Sequence, residues 1–458
     1  MENIPFDELQ IGQSAELRRL VTVEDLIVFA NASGDHNPTH LPGYDGDGDG
    51  KPEATAPAMW LGSLISGVLG NVLPGAGTVY LKQNLEFHEI VKAGDELLAR
   101  VEVRHKHDDG TVLLATSVVR SSDDVPVVTG EATIRAPLTK RVFSDIHVPG
   151  LVVRRHAQFE RLIDAADDLP PVTMAVVAPE EINSLGGALL AHERGLIDPI
   201  LIGDPKKIVA AADTLGKPLD GLQIVEEVDH QQAARKAVDL VRSGEARSLM
   251  KGHLHTEDLL HPVLNKEHGL RGRRRLSHVF VMDVPGMTHP LLVTDAAINI
   301  VPDLQTKADI IQNAIDVAQA IGLQEPRVGI LSAVETVNPN IQSSVDAAIL
   351  SKMAERGQIR GALVDGPLAM DNAVSAAAAR VKGLTGPVAG HAEVLIVPNL
   401  DAGNMLAKQL IHVGGAESAG LVLGAMAPIV LTSRADDDMA RLASCAIAAL
   451  HEAWQARR

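Results

Sequence analysis

The feature that most constrains this chain is a change of rhythm near Thr173. Up to about residue 137, helical segments are followed by four long strand-like runs in series. From about Thr173 onward, short apolar strands alternate with helices. The first pattern suits an antiparallel sheet. The second suits a largely parallel sheet, because parallel strands need helical crossovers that bury both of their faces. At 458 residues the chain is also too long for one hydrophobic core, so the change of rhythm marks a domain division.

In the first part, Thr22 caps a helix over 23–32, with Asp25 favourable in its first turn. A second helix over 59–72 is stopped by Leu73-Pro74-Gly75, and its lack of a polar face predicts burial on all sides. Strands are expected over 78–88, 96–106, 111–120 and 125–135, with turn material such as Asp108-Asp109-Gly110 between them. One buried helix followed by long antiparallel strands predicts a sheet curled around that helix, the hot-dog arrangement. In the second part, strands are expected over 174–177, 199–202, 248–250, 279–282, 328–331, 362–364, 393–397 and 428–432. Helices are expected over 180–195, 231–243, 307–321, 345–356 and 402–413. The fold class is therefore multidomain, α+β followed by α/β. The expected division is 1–137, a linker and lead-in over 138–172, and 173–458.

Composition removes several function classes. With 41 basic and 59 acidic residues the formal charge is −18, which argues against an extended nucleic-acid surface and against anionic membranes. An anionic substrate would need a local basic pocket. Aromatic residues are only 2%, so aliphatic side chains must fill the cores. The single cysteine, Cys445, allows no intrachain disulfide and sits in a helical run over 439–453, where it reads as a packed small residue. The start, Met1-Glu2-Asn3-Ile4-Pro5, has no signal-peptide pattern, and no apolar run reaches membrane-spanning length. A soluble, cytoplasmic protein is expected.

The stretch Asp35-His36-Asn37-Pro38-Thr39-His40 places a carboxylate and an imidazole on either side of an Asn-Pro turn. Such a pair can hold a water, one group taking its proton while the other delivers a proton to a substrate. Together with Leu64-Ile65-Ser66-Gly67-Val68-Leu69-Gly70, Leu73-Pro74-Gly75 and Thr78-Val79-Tyr80-Leu81, it resembles the MaoC-like R-specific enoyl-CoA hydratases over most of residues 10–136. The resemblance implies that Asp35 and His40 activate the water that adds to a trans-2-enoyl thioester, and that Met59 and Ser63 lie against the substrate. It also implies a homo-oligomer, because single hot-dog domains of that family build their sites across a dimer interface. The departure is Pro57-Ala58-Met59, where the family reads His-Gly-Met. Pro57 removes an N–H and Ala58 adds a methyl where an oxyanion donor is expected. Either the site geometry is altered there, or the domain binds CoA esters without turning them over quickly. The acidic run Asp45-Gly46-Asp47-Gly48-Asp49-Gly50 has a calcium-loop look, but Ala56 stands where the closing Glu belongs and Pro52 replaces an aliphatic residue. It reads as a flexible rim loop, and no metal is expected.

In the second part, the segments Leu249-Met250-Lys251-Gly252, Leu264-Asn265-Lys266-Glu267, Leu276-Ser277-His278-Val279 and Gly366-Pro367-Leu368-Ala369-Met370-Asp371-Asn372 resemble phosphate acyltransferases of the acetyl/butyryl type. So do Val397-Pro398-Asn399-Leu400-Asp401-Ala402-Gly403-Asn404 and Thr432-Ser433-Arg434-Ala435-Asp436, and the likeness leans to the butyryl branch. The resemblance implies two α/β lobes and the exchange acyl-CoA + phosphate ⇌ acyl phosphate + CoA, with no tightly bound cofactor. Arg434 offers a bidentate fork for phosphoryl oxygens, and Ser433 a donor, both just before a helix. Asp436 is the candidate base, with Asp437 and Asp438 as alternatives. All three also read as an acidic first helical turn, and an ungapped match places the acetyl branch's catalytic Asp at Ala440. Arg271 and Arg274, in the one strong basic cluster, are expected to meet phosphates. Asn399, Asp401 and Asn404 lie at a strand end and helix start, where open α/β sheets bind ligands. His253 and His255 share a face but lack a third metal ligand.

The reading is a bifunctional hydratase and phosphate acyltransferase acting on acyl-CoA and phosphate, with direct transfer rather than an acyl-enzyme. Three alternatives stay open. The front domain serves only as a CoA-binding or dimerisation module; the back half is a dehydrogenase of related α/β architecture, against which the missing Gly-rich dinucleotide loop counts; or the chain is a non-enzymatic scaffold.

Overall fold

Strand pairing follows the two rhythms of the sequence. The computed structural model describes residues 2–46, 53–143, 157–431 and 438–458, and divides the chain into two units, Met1–Val153 and Arg154–Arg458.

The first unit contains β1 (Ser14–Leu20), α1 (Val23–Ser33), α2 (Ala58–Asn71), β2 (Val79–Phe87), β3 (Glu96–Lys106), β4 (Thr111–Arg120) and β5 (Val125–Arg135). The strands form one antiparallel sheet in the order β1-β3-β4-β5-β2. A reciprocal capping box starts α1: Thr22 Oγ1 accepts from the Asp25 N–H and Asp25 Oδ2 accepts from the Thr22 N–H, each at 3.1 Å. Helix α2 lies on β1, β3 and β4, burying Leu61, Leu64, Ile65, Val68 and Leu69 against Leu97, Val101, Val103, Leu114 and Ile134. This is the hot-dog arrangement. The expected burial of α2 on all sides does not hold within the chain. Met59, Ser63, Ser66 and Gly70 recur every three or four residues along an exposed face, Met59 being 62% exposed. The small residues on that face give the helix apolar character without large side chains that need burial. Strand β1 went unanticipated because Glu16, Arg18 and Arg19 give it the charged character of an edge strand.

The second unit begins with α3 (Ala157–Asp167), β6 (Val172–Val177), α4 (Ile182–Glu193), β7 (Ile197–Gly203), α5 (Pro205–Leu215), β8 (Gln223–Glu226), α6 (His230–Ser243), β9 (Ser248–Lys251) and α7 (Thr256–Val263). It continues through β10 (Ser277–Asp283), β11 (Leu291–Thr294), α8 (Leu304–Ala320), β12 (Arg327–Leu331), α9 (Gln342–Glu355), β13 (Leu363–Leu368), α10 (Met370–Val374) and α11 (Ala376–Val381). It closes with β14 (Val394–Ile396), α12 (Leu400–His412), β15 (Glu417–Leu423), β16 (Ile429–Val430) and α13 (Asp438–Ala456). One 11-stranded sheet runs β13-β12-β14-β11-β10-β15-β16-β9-β6-β7-β8. Its two ends are parallel lobes, β13-β12-β14-β11 and β16-β9-β6-β7-β8, and antiparallel pairing of β10 and β15 with each other and with β11 and β16 joins them. Strands β8, β11 and β15 were not anticipated: two have only four residues, and β15 is broken up by Ser418, Ala419 and Gly420. Helix α3 packs on α13. Cys445 is fully buried on α13, where burial pushes its thiol up to about 12 despite nearby Arg441. No helix among the described residues is long and apolar enough to cross a membrane.

Two buried imidazoles make this unit acid-sensitive. Burial pushes His278 and His451 down to about 4, although Asp295 and the Leu431 carbonyl oppose the shift at His278 and Asp316 opposes it at His451. In the unfolded chain both take up protons near pH 6.5. Between about pH 6.5 and 4 the unfolded state therefore binds more protons, and stability falls as pH falls, by at most about 1.4 kcal/mol per pH unit for each ring. The urea midpoint of the second unit should drop between about pH 7 and pH 5, and the drop should be shallower in His451→Asn. Equal midpoints at the two pH values would refute the assignment.

Candidate active sites

In the first unit, Gly34 ends α1 in the left-handed region, φ +74°, and turns the chain into the acid–base motif. Asp35 Oδ1 accepts from the Asn37 N–H at 3.3 Å, and Asn37 Oδ1 accepts from the Thr39 N–H at 3.2 Å, capping a short 3-10 turn at Pro38–His40. The result aims His40 Nε2 at Asp35 Oδ2, 4.0 Å away. The other ring nitrogen, Nδ1, lies 2.9 Å from the Thr55 carbonyl oxygen and 3.2 Å from Thr55 Oγ1. A carbonyl only accepts, so Nδ1 carries a proton, and Nε2 is the ring nitrogen turned towards Asp35. A water beside the pair can donate one O–H to each.

Thr55 is itself held by its N–H to the Thr39 carbonyl at 2.9 Å, and two residues later Pro57 caps α2. The Trp60 and Leu61 N–H groups bond to the Pro57 carbonyl. Ala58 and Met59, the first helical positions, have no acceptor within the helix for their N–H groups and are exposed. Pro57 thus removes one donor but leaves two at the helix start. Ser63 is exposed and donates its hydroxyl to the Trp60 carbonyl at 2.6 Å, so only its oxygen lone pairs face outward. Of the acidic run, residues 47–52 lie outside the described residues, and the Gly46 N–H donates to Glu53 at 3.2 Å.

In the second unit the chain passes from β6 outward to β7 and β8, then returns to β9 on the other side of β6. The carboxyl ends of β6 and β9 therefore flank a topological switch point, where open α/β sheets bind ligands. The Gly252 and His253 N–H groups donate to the Val177 and Ala178 carbonyls at 2.8 and 2.6 Å. This approach needs glycine: a Cβ on Gly252 would lie 2.3 Å from the Val177 oxygen. Ala178 takes φ +51°, a strained value for a residue with a side chain. Lys251 is buried here, its Nζ 3.4 Å from the Gly252 and Leu254 carbonyl oxygens. Glu180 anchors the β6–α4 loop, accepting from the Asp204 N–H at 3.0 Å, Lys207 at 2.9 Å and His230 at 3.1 Å. Burial alone would raise its carboxyl, but these donors outweigh burial and hold it below the usual range. His253 Nδ1 lies 2.7 Å from Glu181 Oε2, an ion-pair contact without hydrogen-bond alignment. His255 stands at the N-cap of α7.

Beside β9, strand β16 leads through Leu431 towards α13. Ser433, Arg434, Asp436 and Asp437 lie outside the described residues, and Asp438 opens α13, exposed. The described neighbours were not picked out as site residues from sequence. His278 donates from Nε2 to the Leu431 carbonyl and stacks edge-on against Phe280, with centroids 4.3 Å apart. Asp295 accepts from the Ala297, Ile298 and Asn299 N–H groups at 3.0, 3.1 and 3.0 Å, and Asn299 Nδ2 donates to the Leu276 carbonyl at 2.8 Å. Ile298, Leu254, Leu276 and Leu431 share one apolar cluster, so the loops after β9, β11 and β16 converge. Asp295-Ala296-Ala297-Ile298-Asn299 following an apolar run was the available signal, an Asx turn at a strand end.

The remaining candidates divide. Asn399 caps α12 through the Ala402 N–H at 3.0 Å, Asp401 sits in its first turn, and Asn404 Nδ2 donates to the Ala296 carbonyl at 3.3 Å, which ties all three to the Asp295 loop. Arg271 is exposed and bridges to Ala425. Arg274 instead turns to α8, 2.6 Å from Asp316 Oδ2 and 3.3 Å from Asn313 Oδ1.

Comparison with known proteins agrees with both halves of this description. A family model described as phosphate acetyl/butaryl transferase matches residues 225–449, and one described as a FAS1-like dehydratase domain region matches residues 10–130. The chain is 56% identical over 297 residues to the phosphate acetyltransferase of Rhizobium meliloti, spanning 65% of this chain and 94% of that protein. It is 43% identical over 283 residues to the phosphate butyryltransferase of Clostridium acetobutylicum, spanning 62% and 93%. A branched-chain phosphotransacylase from Enterococcus faecalis V583 superposes with TM-score 0.53 at 33% identity, covering 61% of this chain and 99% of that one. The lean to the butyryl branch read from motifs finds no support in these identities, since the acetyl-named relative is the more similar of the two.

The tight β6–β9 approach yields a direct test. Gly252→Ala should destabilise the second unit by about 1–3 kcal/mol, because the obstructing atoms are backbone and cannot rotate away. Thermal melting of the variant measures it, and an unchanged melting temperature would show that the two loops are not held this closely.

Proposed function

Because this chain belongs to the phosphate acetyl/butyryl transferase family, we propose that its second unit exchanges acyl groups between CoA and inorganic phosphate, and that its first unit hydrates trans-2-enoyl-CoA. The observation that carries the first half is the convergence of the β9, β11 and β16 exits, together with the length and identity of the match to phosphate acetyltransferase.

In the exchange a phosphate oxygen attacks the thioester carbonyl carbon. The resulting oxyanion collapses, the C–S bond breaks, and CoA leaves as a thiolate that takes a proton. In reverse the thiolate attacks the acyl phosphate and phosphate leaves. Arg434 holds phosphoryl oxygens bidentately, Ser433 and the start of α13 receive oxyanion charge, and Asp436 carries the thiol proton. His278 serves as a positioning residue: its N–H on the Leu431 carbonyl fixes the chain immediately before that segment. Transfer is direct, since Cys445 is buried and its thiol is held near 12. Phosphate-dependent release of thiol from a series of CoA esters tests this. Arg434→Ala should lower the rate at least roughly 100-fold while Cys445→Ala leaves it intact. NAD-dependent turnover without thiol release would instead favour the dehydrogenase alternative.

For the first unit the carrying observation is the Asp35–His40 pair with its tautomer set by Thr55. The water's hydroxyl adds at the β-carbon, its proton is taken by the pair, and a proton returns to the α-carbon. The Ala58 and Met59 amides face the developing enolate oxygen. Conversion of crotonyl-CoA to its 3-hydroxy product should fall roughly 10²- to 10⁴-fold in Asp35→Asn. Pro57 favours one rival, a CoA-binding module without turnover, and absence of hydration in the wild type would establish it. The exposed face of α2 and the exposed Val79, Leu81 and Phe87 of edge strand β2 support self-association of this unit.

A further inference from the structure

Behind the arginine loop lies a cavity of about 200 Å³ on the opposite face of the sheet from His278. Ser277 turns to α8, its hydroxyl oxygen accepting from Asn313 Nδ2 at 2.9 Å, so the next residue along β10 faces the other way. Arg273 and Arg274, Asn313 and Asp316 of α8, and His451 and Gln455 of α13 line the cavity. His451 and Gln455 are one helical turn apart and therefore share a face.

The imidazole is the telling group. His451 is 2% exposed, and neither of its ring nitrogens has a hydrogen-bond partner. A neutral imidazole still carries one N–H, and a buried donor demands an acceptor. The remaining lining groups define what acceptor fits. Both oxygens of Asp316 are already engaged, Oδ2 by Arg274 at 2.6 Å and Oδ1 by Arg458 at 3.5 Å. The exposed Arg273 has no ion-pair partner among the described residues. Two guanidinium groups thus hold one carboxylate while a third, Arg273, lines the cavity without a paired carboxylate, a local positive excess in a chain of formal charge −18. The cavity exceeds the share of a single water, about 30 Å³, several-fold. Arginine forks, an imidazole N–H and a side-chain amide are the donors that bind oxyanions.

We propose that this cavity is a binding site for a small tetrahedral oxyanion of the sulfate or phosphate type, separate from the centre of acyl exchange. Arg273, His451 and Gln455 supply its donors, and Arg274, locked by Asp316, supplies charge. The site does not depend on the proposed exchange reaction.

Calorimetric titration of the full-length protein with sulfate tests it. Saturable binding is expected, reduced to a single site in Arg434→Ala, which lacks the phosphate fork of the exchange centre. It should persist in Arg434→Ala, weaken roughly tenfold or more in Arg273→Ala and in Gln455→Glu, and exceed acetate binding by a similar factor. Arg273 and Gln455 are exposed, so these variants should fold even if a His451 substitution does not. Absence of saturable binding would mean a cavity filled by water alone and would overturn the proposal. So would binding abolished by Arg434→Ala but untouched by Arg273→Ala, or acetate bound as tightly as sulfate.

Discussion

The antiparallel seam of β10 and β15 is the constraint on which the second unit depends. A single parallel sheet sends every strand's carboxyl end to one edge. Here β10 opposes β11, and β15 opposes β16, so two parallel lobes meet with opposed directions. The reversal brings the end of β11 beside the start of β10, and so brings the Asp295 loop to the Leu276 carbonyl. It also lets the His278 ring reach Leu431 at the exit of β16. Three loops from distant parts of the sequence thereby form one wall.

Burial sets the chemistry of that wall. His278 is inside the protein and loses its charge, so it acts as a fixed neutral donor to a backbone carbonyl. Lys251 and Glu180 show the complementary solution. Lys251 is buried beside backbone carbonyls at a strand end, and Glu180 is held ionised by a backbone N–H, a lysine and a histidine. These groups fix the loops that follow β6 and β9, where the close backbone contact at Gly252 leaves no room for a side chain.

Legibility in the sequence tracked how local each signal was. Strands β3, β4 and β5 and the Thr22 cap of α1 depend on neighbours in the chain and were read from it to within a residue or two, although the reciprocal bond from the Thr22 N–H to Asp25 was not. The acid–base turn was legible for the same reason: Gly34, Asn37 and Pro38 set its geometry within a few residues. The Thr55 carbonyl that fixes the His40 tautomer was not legible, because a backbone acceptor fifteen residues away leaves no mark on side-chain pattern. Arg274 shows the same limit. A basic cluster is visible in sequence, but only the fold reveals that Asp316 of α8, distant in the chain, turns this guanidinium away from Arg271 and towards a different cavity.

The departure at Pro57 and Ala58 illustrates how a lost group can leave a function possible. A proline here removes a donor from the loop, and as the N-cap of α2 it offers no side-chain cap in exchange. The helix α2 starts directly after it, at Ala58, and a helix start exposes further N–H groups that have no acceptor of their own. The donor missing from the loop is thus offset by donors of the helix, aligned with its macrodipole and therefore favourable to negative charge.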